Sequence, residues 1–139
     1  ISALAEKNGI VSVVVSGDRD LLQLAGETLK VRIPKTKGGR TETEDYYAAD
    51  VQAKYGVTPA EFIDMKALMG DTSDNIPGVP GIGEKTAAKI ITQYHDIETA
   101  IAHAAEIKPK KASENLAAYQ EQARLSKFLA TIYFCLTER

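Results

Sequence analysis

The sequence has little of the chemistry that several enzyme and membrane classes require. Its single cysteine, Cys135, excludes an internal disulfide and cannot form a thiolate metal site alone, which favours a reducing, cytoplasmic setting. The two histidines, His95 and His103, show no ligand spacing, and no Ser/His/Asp or Cys/His arrangement is visible. No apolar run approaches the roughly 20 residues that span a bilayer, so no membrane partner is expected.

An excess of positive charge is also missing. The formal net charge is −2, whereas domains that bind nucleic acids are often basic. The charge is uneven, because the segment 30–40 holds five basic residues and no acidic one. Composition therefore neither supports nor excludes a polyanionic partner. The length of 139 residues and the 44 % hydrophobic content are those of one soluble globular domain.

The first third of the chain predicts part of a parallel sheet. Residues 2–8 are typical of the end of a helix, and the lack of an initiator Met predicts that the chain begins inside a larger protein. The β-branched run 10–15 predicts a strand buried on both faces, and 28–33 predicts a second strand. Residues 34–39 predict a turn-rich basic loop. Two strands alone seldom form a stable sheet, which is a second indication of missing chain.

The rest of the chain predicts helices. Thr58-Pro59-Ala60-Glu61 is a strong helix start, and further helices are expected over 44–55, 84–94, 97–104 and about 113–133. We therefore predict an α/β class that is mostly helical. A remnant of a parallel-sheet core (1–43) precedes a helical subdomain (44–139).

Two pairs of carboxylates are candidate metal ligands. Asp18 and Asp20 follow the first strand, at the end where open α/β sheets place their ligands. Asp71 and Asp74 lie three residues apart on a turn, and carboxylate oxygens hold hard divalent cations. The alternatives are that Asp18 only caps a short helix and that Asp74 only starts a turn. The presence of both pairs in one short chain favours metal binding.

A glycine-rich turn follows the second pair. Gly78 with Gly83-Glu84-Lys85-Thr86 nearly matches a Walker A loop, but Glu84 stands between the glycine and the lysine. A dinucleotide-binding site would need a third glycine and a preceding strand, and both are missing. The turn between helices 60–69 and 84–94 fits a helix-hairpin-helix-type element, whose amides hold backbone phosphates without sequence specificity. Lys85 and Lys89 could meet successive phosphates. The alternative is a tight interhelical turn with glycines for steric reasons.

Two segments carry a resemblance to a known family. Val15-Ser16-Gly17-Asp18-Arg19-Asp20-Leu21-Leu22-Gln23-Leu24 and the segment 68–87, with Gly70-Asp71-Thr72-Ser73-Asp74-Asn75-Ile76-Pro77-Gly78 at its centre, closely resemble the 5′-nuclease domain of bacterial DNA polymerase I, which is related to the flap endonucleases. The resemblance implies a PIN-like α/β core and a helix-three-turn-helix motif at about 60–94. It also implies Mg²⁺- or Mn²⁺-dependent, two-metal hydrolysis of DNA 5′ ends and 5′ flaps in replication and repair.

The resemblance also assigns residues by position. Asp18, Asp20, Asp71 and Asp74 match the carboxylates at the second metal. The resemblance implies that the turn holds the backbone of duplex DNA and binds K⁺ through its own backbone carbonyls. The residues that match this part are Gly78, Gly81, Gly83, Lys85 and Thr86, and Lys89 is added from its helical spacing. The family's earlier carboxylates, its basic arch and the polymerase region are not in this sequence. We therefore expect a monomeric, cytoplasmic bacterial protein, linked to a polymerase region, whose present segment alone is inactive or severely impaired. A non-catalytic duplex-binding module and a PIN-type ribonuclease are the alternatives.

Overall fold

The computed structural model describes residues 1–132, so the end of the last predicted helix and Cys135, expected to be a packed thiol, lie outside the described residues. The chain divides into two compact units, Ile1–Phe62 and the part from Ile63 onward. The predicted functional division at 43/44 stays a prediction. Within the described range, no helix is both long enough and apolar enough to cross a membrane.

The first unit is built on a mixed three-stranded sheet. Strand β1 (Ser12–Val15) pairs in parallel with β2 (Leu29–Lys37), which pairs in antiparallel with β3 (Arg40–Tyr46). Helix α1 (Ser2–Lys7) precedes the sheet, and α2 (Ala48–Tyr55) follows it. Leu22, Val31 and Val51 are fully buried and form the centre of this unit's core.

The basic loop predicted at 34–39 is wrong, because β2 continues to Lys37. Only Gly38 and Gly39 turn, both at positive φ, as a two-residue hairpin loop requires. The Arg32 carbonyl accepts from the Ser16 amide at 3.0 Å, and backbone groups alternate in direction along a strand. Pro34 is two residues after Arg32, so its nitrogen, which carries no N–H, faces the side of β1. It lies beyond the last residue pair of β1 and β2, where the ladder needs no donor. The same hairpin places Glu44–Tyr46 in β3 rather than in the helix predicted over 44–55.

The prediction that β1 is buried on both faces is also wrong. Burial alternates along the strand, and Val13 and Val15 are 48 % and 62 % exposed. In the described part of the chain β1 pairs only with β2, so it is an edge strand with one covered face. The apolar content of the run therefore does not distinguish one covered face from two.

The second unit is helical, and the division after Phe62 falls inside its first helix, Pro59–Met69. Helix α3 (Pro59–Met69) begins as predicted, since the Thr58 amide donates to Glu61 at 3.0 Å and the Glu61 amide donates to the Thr58 hydroxyl at 3.2 Å. Helix α4 (Glu84–Tyr94) has its predicted bounds. Helices α5 (Ile97–Ala102), α6 (Lys110–Ala118) and α7 (Gln120–Ala130) follow, with a 3₁₀ turn at Ala104–Glu106. The mostly helical α/β class is thus confirmed.

The single last helix predicted from 113 is wrong in its continuity. Tyr119, at φ −109° and ψ 34°, lies outside the helical range and separates α6 from α7. Ala112 and Leu116 of α6 and Ala123 and Ala130 of α7 are buried at spacings that one continuous helix would also give. Periodicity therefore could not reveal the break.

Candidate metal site and nucleic-acid interface

Asp18 and Asp20 lie on a turn that is fixed to the end of β1. The Ser16 hydroxyl accepts from the Asp18 amide at 3.1 Å, and Asp18 Oδ1 accepts from the Asp20 amide at 2.9 Å. Asp18 thereby caps the 3₁₀ turn Arg19–Leu24, the local role that the alternative interpretation gave it. Its Oδ2 makes no hydrogen bond within residues 1–132, so capping leaves one oxygen for another ligand.

Asp71 and Asp74 lie in a loop closed by two backbone hydrogen bonds. The Asp71 and Ile76 amides each donate to the other's carbonyl at 2.8 Å. Asn75 adopts a left-handed backbone at φ 55°, which asparagine tolerates better than most residues. The loop is therefore a defined turn, and Asp74 is exposed on it.

The Asp71 carboxylate is held in its ionised form. Lys66 Nζ donates to Oδ2 at 2.6 Å, and the Ser73 amide donates to Oδ1 at 2.9 Å. The Lys66 ammonium, and after it the Ser73 hydrogen bonds, lower the pKa of Asp71 to about 2. A carboxylate that stays charged at neutral pH suits a hard cation. Lys66 is not among the site residues predicted from the sequence, although its place between Met65 and Ala67, both fully buried, is a signal that it has a specific partner.

Gly78 is a glycine for steric reasons, as the alternative interpretation of the turn proposed. At φ +64°, an added Cβ would lie 2.5 Å from the Gly70 amide nitrogen. The Gly78 amide donates to the buried Ser126 hydroxyl at 2.9 Å, and Gln122 Nε2 donates to the Gly78 carbonyl at 2.8 Å. Helix α7 therefore fixes the end of the loop that contains Asp71 and Asp74. Nothing in the sequence indicated this role for Ser126 and Gln122.

Gly83 has no such steric reason. Its φ is −91°, and an added Cβ would meet no atom within 4 Å. It is the N-cap of α4, whose first amides have no intrahelical acceptor, and no side chain of residues 1–132 caps them. Lys85 and Lys89 are exposed on this helix, and Thr86 is half-buried. The start of α4 is thus an open, positively polarised surface.

Acidic partners neutralise much of the basic segment 30–40. Lys30 and Arg32 pair with Asp45 at 3.0 Å and 2.8 Å. Lys35 pairs with Glu44, whose pKa is lowered to about 2 by Lys35 first and then by Tyr46. These pairs make the hairpin a weaker candidate for binding an anion than the start of α4.

Comparisons with known proteins bear on the family and the fold. Residues 57–137 match the family model described as 5′-3′ exonuclease, C-terminal SAM fold. DNA polymerase I of Bacillus caldotenax is 51 % identical over 132 residues, which are 95 % of this chain and 15 % of that polymerase. A structure of T5 5′-exonuclease with bound zinc superposes with a TM-score of 0.74 at 26 % identity, covering 93 % of this chain and 47 % of that one.

A third similarity is at the level of fold alone. A bacteriophage T5 flap endonuclease, solved as a pseudo-enzyme-product complex with DNA and metal ions, has a TM-score of 0.74 at 24 % identity and covers the same shares. This chain spans about 15 % of the length of the curated relative, so it corresponds to a segment of that protein. The resemblance noted from the two sequence segments is confirmed.

Proposed function

The chain belongs to the 5′-3′ exonuclease family, and from this premise we propose that it supplies metal ligands and a duplex-binding turn for hydrolysis of DNA phosphodiesters at 5′ ends and 5′ flaps. The proposal gives Asp18, Asp20, Asp71 and Asp74 a common role at the second ion of a two-metal site. The two pairs belong to different compact units, so their convergence on one ion is part of the proposal.

The donor set fits a divalent metal. All four proposed ligands are carboxylates, the donors that Mg²⁺ and Mn²⁺ prefer. Bound divalent ions would supply charge stabilisation at the phosphate and a water of lowered pKa. The chain's own contribution is to hold the ligands: the Asp18 cap orients the first pair, and Lys66 and Ser73 fix Asp71. A monovalent cation at the turn carbonyls, K⁺, remains part of the proposal.

The open space at Gly83 is the observation on which the DNA part of the proposal rests. The fold has room for a side chain at position 83, yet this position, which lies in front of the first amides of α4, is a glycine. A phosphodiester needs this clearance to reach backbone N–H groups. Contacts of this kind position a duplex without reading its sequence.

Gly83→Ala is therefore expected to weaken duplex binding about tenfold, equivalent to about 1.4 kcal/mol. The methyl group would occupy the space of the approaching phosphate, while no charge is lost, so the dependence on salt should stay the same. Fluorescence anisotropy with a labelled 5′-flap duplex, without divalent metal, measures both quantities. Gly26→Ala is the matched control, because an added Cβ there also meets nothing within 4 Å. Equal affinity for the two variants would contradict the proposal.

We propose that full cleavage activity belongs to the longer protein of which this chain matches a segment. The chain alone, incubated with Mg²⁺ and a 5′-flap substrate, is expected to be inactive or severely impaired. The resemblance places a further set of metal-binding carboxylates in sequence that this chain does not contain. A gel assay beside a complete family member checks the expectation, and comparable turnover would refute it.

A further inference from the structure

Helix α6 contacts the glycine turn through two side chains one helical turn apart. Asn115 Nδ2 donates to the Pro80 carbonyl at 2.6 Å. A Cβ built on Gly81 would lie 3.1 Å from Asn115 Nδ2 and 3.3 Å from Lys111 Cε. The Lys111 side chain therefore lies over Gly81, where the backbone is left-handed at φ +81°.

The side of α6 next to this face, about 100° further round the helix, is fixed in the core. Ala112 and Leu116 are both 0 % exposed, whereas Lys111 is exposed and Asn115 is half-buried. Because Lys111 and Asn115 are four residues apart, they lie on one face of the helix. The position of Lys111 beside the turn is thus set by the packing of the whole helix.

The charge on Lys111 has no partner in the part of the chain that the structure describes. Its neighbour Lys110 lies 3.6 Å from Glu114 in an exposed ion pair. The Lys111 ammonium, one bond beyond Cε, makes no ion pair or hydrogen bond within residues 1–132. Lysine binds phosphate as a point charge that needs no fixed geometry. This uncompensated ammonium lies beside the turn that leads into the open start of α4. It is therefore suited to bind a second phosphate of the same DNA strand.

We propose that Lys111 contacts a backbone phosphate of duplex DNA beside the Pro80–Gly81 turn and that Asn115 is a positioning residue that holds this turn. The inference rests on the proposed function and extends the duplex-binding surface from α4 to α6. Nothing in the spacing of the sequence joins these helices, because Asn115 and Pro80 are 35 residues apart.

The test measures the affinity of the 139-residue chain for a labelled 5′-flap duplex over a salt series. Lys111→Ala should weaken binding and reduce the slope of log K against log[salt] by about 0.9, the value of one lost phosphate contact on B-DNA. Lys111→Arg should restore affinity and slope, since it keeps the charge. Lys110→Ala removes the same charge one residue away and should keep the wild-type slope. Asn115→Ala should weaken binding without changing the slope, because it removes no charge.

The outcomes separate this inference from its premise. If the wild-type chain shows no salt-dependent duplex binding, both the proposed function and this inference fail. If it binds and Gly83→Ala weakens it, but Lys111→Ala and Lys110→Ala have the same slope, the α6 contact alone is overturned. Circular dichroism melts of each variant check that the fold is retained, which the exposure of Lys111 favours.

Discussion

Gly78→Ala is expected to lower the free energy of unfolding by about 2–5 kcal/mol. The left-handed backbone costs an alanine roughly 1–2 kcal/mol, and overpacking typically costs a further 1–3 kcal/mol. The new Cβ would lie 2.5 Å from Gly70 N, 2.7 Å from Gly70 Cα and 2.8 Å from the Met69 carbonyl carbon. All three are backbone atoms, so no side chain can move aside. Urea denaturation followed by circular dichroism measures the change.

Gly39→Ala separates the two causes of this loss. Gly39 has a similar φ of +77°, but an added Cβ there meets nothing within 4 Å. It therefore reports the backbone strain alone, and the difference between the two variants reports the clash. If Gly78→Ala costs no more than Gly39→Ala, the close contact of the two glycine segments does not stabilise the loop. In Gly78→Ala the new methyl group would push the Gly70 backbone away. This shift should also weaken metal binding, because Gly70 directly precedes Asp71.

The elements that could be predicted from the sequence have local signals. Helix α4 begins after a glycine, has Ala87, Ile90 and Ile91 at helical spacing, and was predicted to the residue. The start of α3 was predicted because Thr58 and Glu61 satisfy each other's backbone donors within one turn. In both cases the residues that decide the structure are close together in the chain.

The elements that could not be predicted depend on distant pairing. The hairpin of β2 and β3 places Pro34 within a strand, where proline is disfavoured because it cannot donate to the ladder. It is tolerated here because β1 is too short to need an N–H at this position. The break at Tyr119 has no local signal either, since the apolar spacing of α6 continues into α7 across it. Tertiary pairing overrides the local preference at Pro34.

The candidate site divides along the same line. The two aspartate pairs and the glycine turn could be identified because each of them lies in one short segment. The residues that hold them could not, because Ser126 contacts Gly78 from 48 positions away and Asn115 contacts Pro80 from 35. The sequence motifs thus indicate the groups that we propose to meet the ligand, and the structure identifies the groups that position them.

Asp71→Asn is expected to weaken Mn²⁺ binding by at least about tenfold, because even changes behind a ligand commonly cost 10–100-fold in metal affinity. Isothermal titration with Mn²⁺ measures the loss, and Glu106→Gln is a control that removes one charge from an exposed residue elsewhere. Asp71→Asn also removes the charged partner of the Lys66 ammonium, and this loss is costly because the Lys66 side chain is only 9 % exposed. Lys66→Met combined with Asp71→Asn removes that buried charge and isolates the effect on the metal.

A double-mutant cycle of Asp18→Asn with Asp71→Asn tests whether the two aspartate pairs share one ion. If they do, the losses in Mn²⁺ affinity should not add, with a coupling of roughly 0.5–3 kcal/mol, since the second substitution acts on a site that the first has already weakened. Residues at separate sites show additive losses within about 0.5 kcal/mol. Additivity, or a loss in Glu106→Gln as large as in Asp71→Asn, would mean that the carboxylates of the two units do not act on a common cation. In that case the chain would retain its duplex-binding turn without the metal role, which is the behaviour of a non-catalytic DNA-binding module.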